Sequence, residues 1–431
     1  MRRFAVAQIV CLAVILAAFA ATRADAVRFL RWAEVQSLLP VFAASPEKLP
    51  AFKDSEEWDA WIRERGGSIR GRIDHGVEDS ISELILFGTS FAGPPKHANA
   101  DDAVNPAGDL TAQANARRDA FVQALDQLDT ERFRIVLEFL RRRRVTEEEL
   151  GAFLSGSMRR FALEEAGLPK KQVRADVGIS TETSLLINFE IDDTLRALKT
   201  RGVLPQHIQR VLLIGPGLDL AGDPDVNDYC PPQSVQPIAI LEAVLRLGLA
   251  TPAEIQMTAV DMNPLVLSHL RTAFGKVHAA QPYTLQLPHP APSGWNAAAV
   301  SYWQHFGDTI GLPAKPVAAP PGVELRAVAV KPAIVARVSV EDLDIVTQTL
   351  DPGPGQGFDL VIATNLFAYY SRVEQNLALT SIARMLSSGG VVISNGVLPN
   401  VKIQDLEELG PRHVAYLESG AGDDLTAHRR R

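Results

Sequence analysis

Two glycines after an apolar run are the first residues of this chain whose type and spacing could serve chemistry. The segment VLLIGPGLDLAG spans residues 211–222 and carries Gly215 and Gly217. Glycine has no Cβ, so the backbone can turn sharply there and approach a ligand closely. Ligands of open parallel sheets bind at the carboxyl ends of the strands. This turn therefore predicts one wall of a ligand site.

An acid ends the next apolar run, IQMTAVDMN. At the end of a second strand, Asp261 could accept hydrogen bonds from both hydroxyls of a ribose. Asp261 or Asn263 could equally cap the helix predicted for PLVLSHL, since both residue types favour that position. The residue alone leaves both roles open, and the glycine turn before it favours the ribose.

The third predicted strand end is also acidic. VSVEDLDI places Glu341 and Asp342 just after that strand. An acid there could bond the amino group of adenine, or it could simply face solvent as a loop residue.

The fourth predicted strand, FDLVIA, leads into TNLFAYY, residues 364–370. An amide at this edge, Asn365, can orient an acceptor group, and a phenol, Tyr369, can position it against a reactive group. For Tyr370, packing in the core is the favoured interpretation.

These residues need a sheet to bring them together, and the pattern after about His207 predicts one. Apolar strand-like runs alternate with helical segments: QRVLLI, IAILEAVLRLG, IQMTAV, PLVLSHLRTAF, AIVARVSV, FDLVIA, ALTSIARML and GVVIS. This alternation predicts a parallel sheet with helices on both faces. The closing segments HVAYLE and DDLTAHRR, joined by Ser-Gly-Ala-Gly, predict an antiparallel edge hairpin.

The chain is thus predicted to be an α/β protein with a Rossmann-like, mostly parallel sheet and a C-terminal antiparallel hairpin. A mainly helical N-terminal domain precedes it, since 431 residues exceed one ordinary core. The change of period places the helical domain at 27–204 and the Rossmann-like domain at 205–431. Residues 281–323, rich in Pro, Ala and Gly, predict an insertion over one end of the sheet.

The order of these features resembles the class I S-adenosylmethionine-dependent methyltransferases, over roughly residues 207–431. The turn at Gly215 and Gly217 is similar to the family's glycine loop. The resemblance implies S-adenosylmethionine as cofactor, with Asp261 at its ribose and Asp342 on the side of its adenine.

The run FDLVIATNLFAYYSRVEQNLALTSIARMLSSGGVVIS is most similar to the chemotaxis-receptor glutamate methyltransferases. In that subgroup an Asn-x-x-x-Tyr follows the fourth strand. The resemblance implies catalytic roles for Asn365 and Tyr369, with the phenol beside the methyl group.

The chain departs from the family in its glycine loop. Leu213 stands where the family usually has an acid that contacts the methionine amine, and Asp219 replaces the third glycine. Asp219 could take over the amine contact. The long link AGDPDVNDYCPPQSVQP also places Asp261 later than the usual ~20 residues after the loop.

The N-terminus predicts export. Arg2 and Arg3 precede an apolar run over 4–21, and small-x-small sites follow within residues 1–26. This pattern is typical of a cleaved secretory signal, with an uncleaved membrane anchor as the alternative. In either case the body of the protein is expected outside the cytoplasm, periplasmic or secreted, and it meets a membrane only through this segment.

Charge and composition argue against two classes of partner. The net charge of -8 disfavours nucleic acid, which it would repel. The nine histidines are scattered without ligand spacing, so no metal site is predicted.

Three functions are compatible with these features. A methyltransferase acting on a small molecule or a protein side chain is favoured. The alternative is an exported, non-catalytic binding or scaffold protein that keeps a degenerate methyltransferase fold, because fold alone does not fix function. A nicotinamide-dependent dehydrogenase is disfavoured, since the loop lacks G-x-G-x-x-G.

Overall fold

The computed structural model describes residues 26–42, 49–88, 110–125, 130–165, 178–221, 228, 230–278, 282–289, 291, 293–319, 323–353, 355–396, 398 and 405–431. Residues 1–25, nearly all of the predicted signal segment, lie outside them. The helices α1 to α12 are Trp32–Val35, Leu39–Phe42, Ser55–Phe87, Leu110–Ala124, Glu131–Arg143, Glu147–Glu165, Ile187–Thr200, Gln236–Arg246, Pro264–His278, Ala297–His305, Pro332–Val335 and Arg372–Met385. The strands β1 to β12 are Ala26–Phe29, Arg210–Ile214, Gln256–Asp261, Tyr283–Pro288, Gly311–Ala314, Leu325–Val330, Val338–Asp342, Gln348–Asp351, Phe358–Ala363, Leu386–Asn395, Leu406–Ala415 and Gly422–Arg430.

The central sheet has seven strands in the order β11-β12-β10-β9-β2-β3-β7. The five strands from β10 to β7 in this order are mutually parallel. β12 is antiparallel to β10, and β11 is antiparallel to β12. The predicted Rossmann-like sheet with a C-terminal antiparallel hairpin is therefore confirmed. The chain adds β3 and β7 on one side of β2 and later adds β9 and β10 on the other side, so β2 is the switch point of the sheet.

The parallel strands are continuous apolar runs because both faces of the sheet are covered. In β2, Val211 and Leu213 enter an apolar cluster with α7, α8 and α9. Leu212 and Ile214 enter a second cluster on the opposite face, with α12 and the helices α1 and α3 to α6. Residues before position 205 thus pack on both faces of the central sheet. The predicted domain boundary between 204 and 205 stays a prediction.

Two local expectations were wrong. The helical pattern predicted from Val27 onward begins instead with a strand, since β1 pairs antiparallel with β8. The run AIVARVSV is not one strand: Pro332, favoured in a first helical turn, starts α11 before β7 begins.

The predicted insertion carries secondary structure of its own. Its strands β4 and β5 flank β6 in a three-stranded antiparallel sheet. The carboxylate of Glu242 in α8 accepts hydrogen bonds from the amide of Gly307, at 2.8 and 2.9 Å. The insertion therefore packs against the helical layer on one face of the sheet.

Candidate functional site

A cleft opens where β2, β3 and β9 end, beside the segment that follows β7. Five of the predicted site residues line it: Gly215, Gly217, Asp261, Asn365 and Tyr369. Further lining residues come from α3, which supplies Ile73, and from the segment before α7, which supplies Ile179, Ser180, Glu182 and Thr183. The order of the strands thus brings together residues that are far apart in the chain.

The two glycines serve different purposes. Both have positive φ, +69° at Gly215 and +66° at Gly217, a conformation that favours glycine. A Cβ on Gly215 would meet only Leu366 Cδ1, at 3.8 Å, so this glycine is open to the cleft. A Cβ on Gly217 would lie 1.8 Å from Thr183 Oγ1, so this glycine makes room for the chain rather than for a ligand.

Asp261 lies half-buried at the end of β3 and lines the cleft. Its Oδ1 accepts hydrogen bonds from the amides of Met262 and Asn263, each at 2.8 Å. The backbone amide of Gly217 also donates to the Asp261 carboxylate. Burial raises the pKa of Asp261 to about 6, against the effect of these donors.

The cap of α9 is supplied by a different residue. Asn263 Oδ1 accepts a hydrogen bond from the amide of Leu265 at 3.0 Å, as an N-cap does. Of the two roles that the sequence left open for Asp261, helix capping is thus filled by its neighbour. The ribose contact stays a prediction.

Asp342 does not line the cleft. It is the last residue of β7, exposed, and its Oδ1 lies 2.6 Å from Nη2 of Arg70 in α3. The cleft is lined instead by the apolar residues Leu343 and Ile345 that follow it.

Asp219 also lies outside the cleft. It lines a small adjoining cavity with Asn188 and Gln236, and its Oδ1 is 3.3 Å from Nη1 of the fully buried Arg132. Thr183 and Gly217 line both cavities and so stand between Asp219 and the cleft.

The segment after β9 carries the predicted catalytic pair. Asn365 has φ +56°, and its backbone N–H donates a hydrogen bond to Asn395 Oδ1 at 2.8 Å. A non-glycine residue in this region is uncommon and is found more often at functional sites. Tyr369 ends a single 3₁₀ turn, and its carbonyl oxygen accepts a hydrogen bond from the guanidinium of Arg72.

Tyr370 was expected in the core, and it is 5% exposed, yet it lines the cleft as well. Its hydroxyl has no hydrogen-bond partner among the described residues. Burial raises the pKa of this phenol well above its usual range, so it stays protonated.

Sequence reasoning missed a further wall of the site, a segment that we call the strap (residues 178–183). The amide of Ile179 donates to the carbonyl of Arg72 in α3, at 3.1 Å. The carboxylate of Glu182 accepts hydrogen bonds from the amides of Leu220 and Ala221, at 2.9 and 3.1 Å. The strap therefore joins the N-terminal helices to the glycine loop.

Within the described ranges, no group of His, Cys, Asp and Glu is arranged to hold a metal ion. None of the helices in those ranges is long and apolar enough to span a bilayer.

No protein-family model matches the chain, and a search of curated proteins finds no relative. Among solved structures, N-methyltransferase NodS from Bradyrhizobium japonicum WM9 is 10% identical, with 56% of this chain and 94% of that chain covered and a TM-score of 0.29. The glycopeptide N-methyltransferase MtfA is 10% identical, with 56% and 90% covered and a TM-score of 0.30. A TehB-like SAM-dependent methyltransferase from Corynebacterium glutamicum ATCC 13032 Kitasato is 10% identical, with 57% and 100% covered and a TM-score of 0.27. Such weak superpositions say nothing of what this chain binds, so its function is inferred from its own residues.

Proposed function

We propose that this protein is an S-adenosylmethionine-dependent methyltransferase that acts on a small molecule or a protein side chain. One observation carries the proposal: Gly215 is open to a cleft at the switch point of the sheet, beside the carboxylate of Asp261. Ligands of Rossmann-like folds bind at this point, with an acid on the ribose. The antiparallel hairpin at the sheet edge also suits a methyltransferase better than a dehydrogenase.

The residues of the cleft fit the parts of the cofactor. Asp261 offers acceptors for ribose hydroxyls, Leu343 and Ile345 offer apolar surface for a base, and Gly215 allows close approach at the loop. When bound, S-adenosylmethionine supplies a methyl group on a sulfonium, which needs no further activation as a leaving group.

The chain's own contribution is then to position the acceptor and to exclude water. We assign Asn365 and Tyr369, which follow β9 and line the cleft, to holding the acceptor against the methyl group. Ile73 of α3 and Ile179 of the strap line the cleft and restrict the access of solvent. The spacing of Asn365 and Tyr369, as in chemotaxis-receptor glutamate methyltransferases, supports a protein carboxylate as one candidate acceptor.

Calorimetric titration of the purified protein with S-adenosylmethionine and S-adenosylhomocysteine tests the proposal. We expect one molecule of either ligand to bind per chain. In a separate screen of candidate acceptors with methyl-labelled S-adenosylmethionine, we expect label to be transferred to an acceptor. Binding without any transfer would favour the non-catalytic alternative. If the protein binds neither ligand, the proposal of an S-adenosylmethionine-dependent methyltransferase is wrong.

A further inference from the structure

The hydroxyl of Tyr370 is a buried polar group that makes no hydrogen bond to the described residues. The residue is 5% exposed, and its hydroxyl finds no partner among the described residues. Buried hydroxyls in proteins are nearly always hydrogen-bonded, because an unmade bond costs about 1–3 kcal/mol. Tyr370 lines the cleft, so an unpartnered hydroxyl on this residue points to a ligand that completes it.

The surroundings of the phenol indicate which part of a ligand would reach it. Tyr370 shares an apolar cluster with Leu343 and Ile345, and all three line the cleft. Among nearby charges, the carboxylate of Asp344, which lies between those two residues in the chain, acts most strongly on the phenol. Tyr370 therefore lies near the segment after β7, where the apolar wall of the cleft is.

No neighbouring acid already uses this hydroxyl. The Asp344 carboxylate accepts hydrogen bonds from Thr347 Oγ1 at 2.6 Å and from the amide of Val346 at 3.0 Å. The Glu374 carboxylate is held by Arg65 and Arg72, each at 3.3 Å. Because the phenol stays neutral, it can both donate and accept, as the edge of a purine or a ribose requires.

We propose that the Tyr370 hydroxyl forms a hydrogen bond to the nucleoside part of the ligand, between the apolar wall of Leu343 and Ile345 and the carboxylate of Asp261. This inference rests on the proposed function and adds a specificity residue that the family resemblance does not assign. Tyr370 lines the cleft, whereas Asp342, the acid that the sequence predicted beside the adenine, is paired with Arg70 outside it.

Tyr370→Phe removes only the hydroxyl, and Tyr302→Phe is its matched control. Tyr302 in α10 also has a buried hydroxyl without a partner among the described residues, but it does not line the cleft. Each variant of the full chain is titrated with S-adenosylhomocysteine and with 5′-methylthioadenosine, which has the nucleoside but no amino-acid end. Thermal unfolding without ligand is measured in parallel.

We expect Tyr370→Phe to weaken both ligands about two- to tenfold, the effect of one neutral hydrogen bond. Its melting temperature should be unchanged or higher, because an unpartnered hydroxyl is removed, and Tyr302→Phe should bind as the wild type does. Unchanged binding of both ligands by Tyr370→Phe would overturn this inference but would leave the proposed function standing. A loss with S-adenosylhomocysteine but not with methylthioadenosine would place the contact at the amino-acid end and refute the nucleoside assignment. A wild type that binds neither ligand would overturn the proposed function, and this inference with it.

Discussion

Gly178 of the strap crosses Gly76 of α3 so closely that a Cβ on Gly178 would lie 1.9 Å from the amide nitrogen of Gly76. The reverse also holds, since a Cβ on Gly76 would lie 1.8 Å from the carbonyl oxygen of Ile179. The obstructing atoms are backbone atoms, which cannot move aside as a flexible side chain can. This crossing fixes the strap against the helix and, through the strap, sets one wall of the cleft.

Gly76→Ala should therefore destabilise the protein and weaken ligand binding together. Overpacking of this kind costs about 1–3 kcal/mol or more. Gly71→Ala is the matched control, because Gly71 lies in the same helix with nothing within 4 Å of its Cβ position. Alanine there should be neutral or stabilise by about 0.5–1 kcal/mol. Urea unfolding and titration with S-adenosylhomocysteine measure both effects, and equal behaviour of the two variants would show that the crossing is unimportant.

Asp261→Ala should reduce cofactor affinity about ten- to a hundredfold, because charged hydrogen bonds to ribose contribute about 1.5–3 kcal/mol. Asp261→Asn keeps an acceptor for the neighbouring amides and should lose affinity while melting near the wild type.

Asn296→Ala is the comparison for Asp261. Asn296 does not line the cleft, and it caps α10 by accepting hydrogen bonds from the amides of Ala298 and Ala299. This variant should lose about 1 kcal/mol of stability and no affinity. Tight binding by a destabilised Asp261→Ala protein would assign that residue a structural role only.

The sheet and the core of the site were predictable because they follow from short-range patterns. Continuous apolar runs identify buried parallel strands, and parallel strands end at one edge. Gly215, Asp261 and Asn365 lie at or just after the carboxyl ends of three such strands, so the sequence alone could predict that they meet in one cleft.

The remaining walls of the site depend on contacts between distant segments, which no local pattern encodes. Asp342 was predicted beside the base, but its partner Arg70 lies 272 residues earlier in the chain. The strap, GISTET, has neither helical nor strand periodicity. Tyr370 was predicted to pack in the core, and only its place in the lining of the cleft points to a role for its hydroxyl.

The domain boundary can be tested with two fragments. α7 lies before residue 205, yet its Leu195 and Leu198 are buried in the cluster that covers one face of the sheet. A fragment of residues 178–431 should therefore unfold at higher urea concentration than one of residues 205–431. Equal midpoints would support the boundary between 204 and 205, since α7 would then add nothing to the sheet domain.

Export is tested with a reporter fused after residue 60. A reporter that is active only outside the cytoplasm is expected, because Arg2 and Arg3 precede an apolar segment of signal type. Cytoplasmic activity of the fusion would refute the signal interpretation, and it would place the protein in the compartment where the methyl donor is made.

The stability of the protein should fall as pH rises from about 5 to 8, and Glu182 is one cause. Burial raises the pKa of this carboxyl to about 8, with the charges of Asp219 and Glu83 acting in the same direction. In the unfolded chain a glutamate has a pKa of about 4.3, so over this interval the folded state binds the additional proton. The free energy of unfolding then decreases with pH until the folded-state carboxyl ionises.

Glu182→Gln cannot ionise and should flatten the dependence of the unfolding free energy on pH, so that the variant gains stability relative to wild type toward pH 8. Glu149→Gln serves as control, because hydrogen bonds with Thr146 lower the pKa of that exposed carboxyl and it is ionised throughout the interval. Denaturant unfolding at each pH gives the slopes, and parallel curves for Glu182→Gln and the wild type would show that Glu182 is charged in the folded protein.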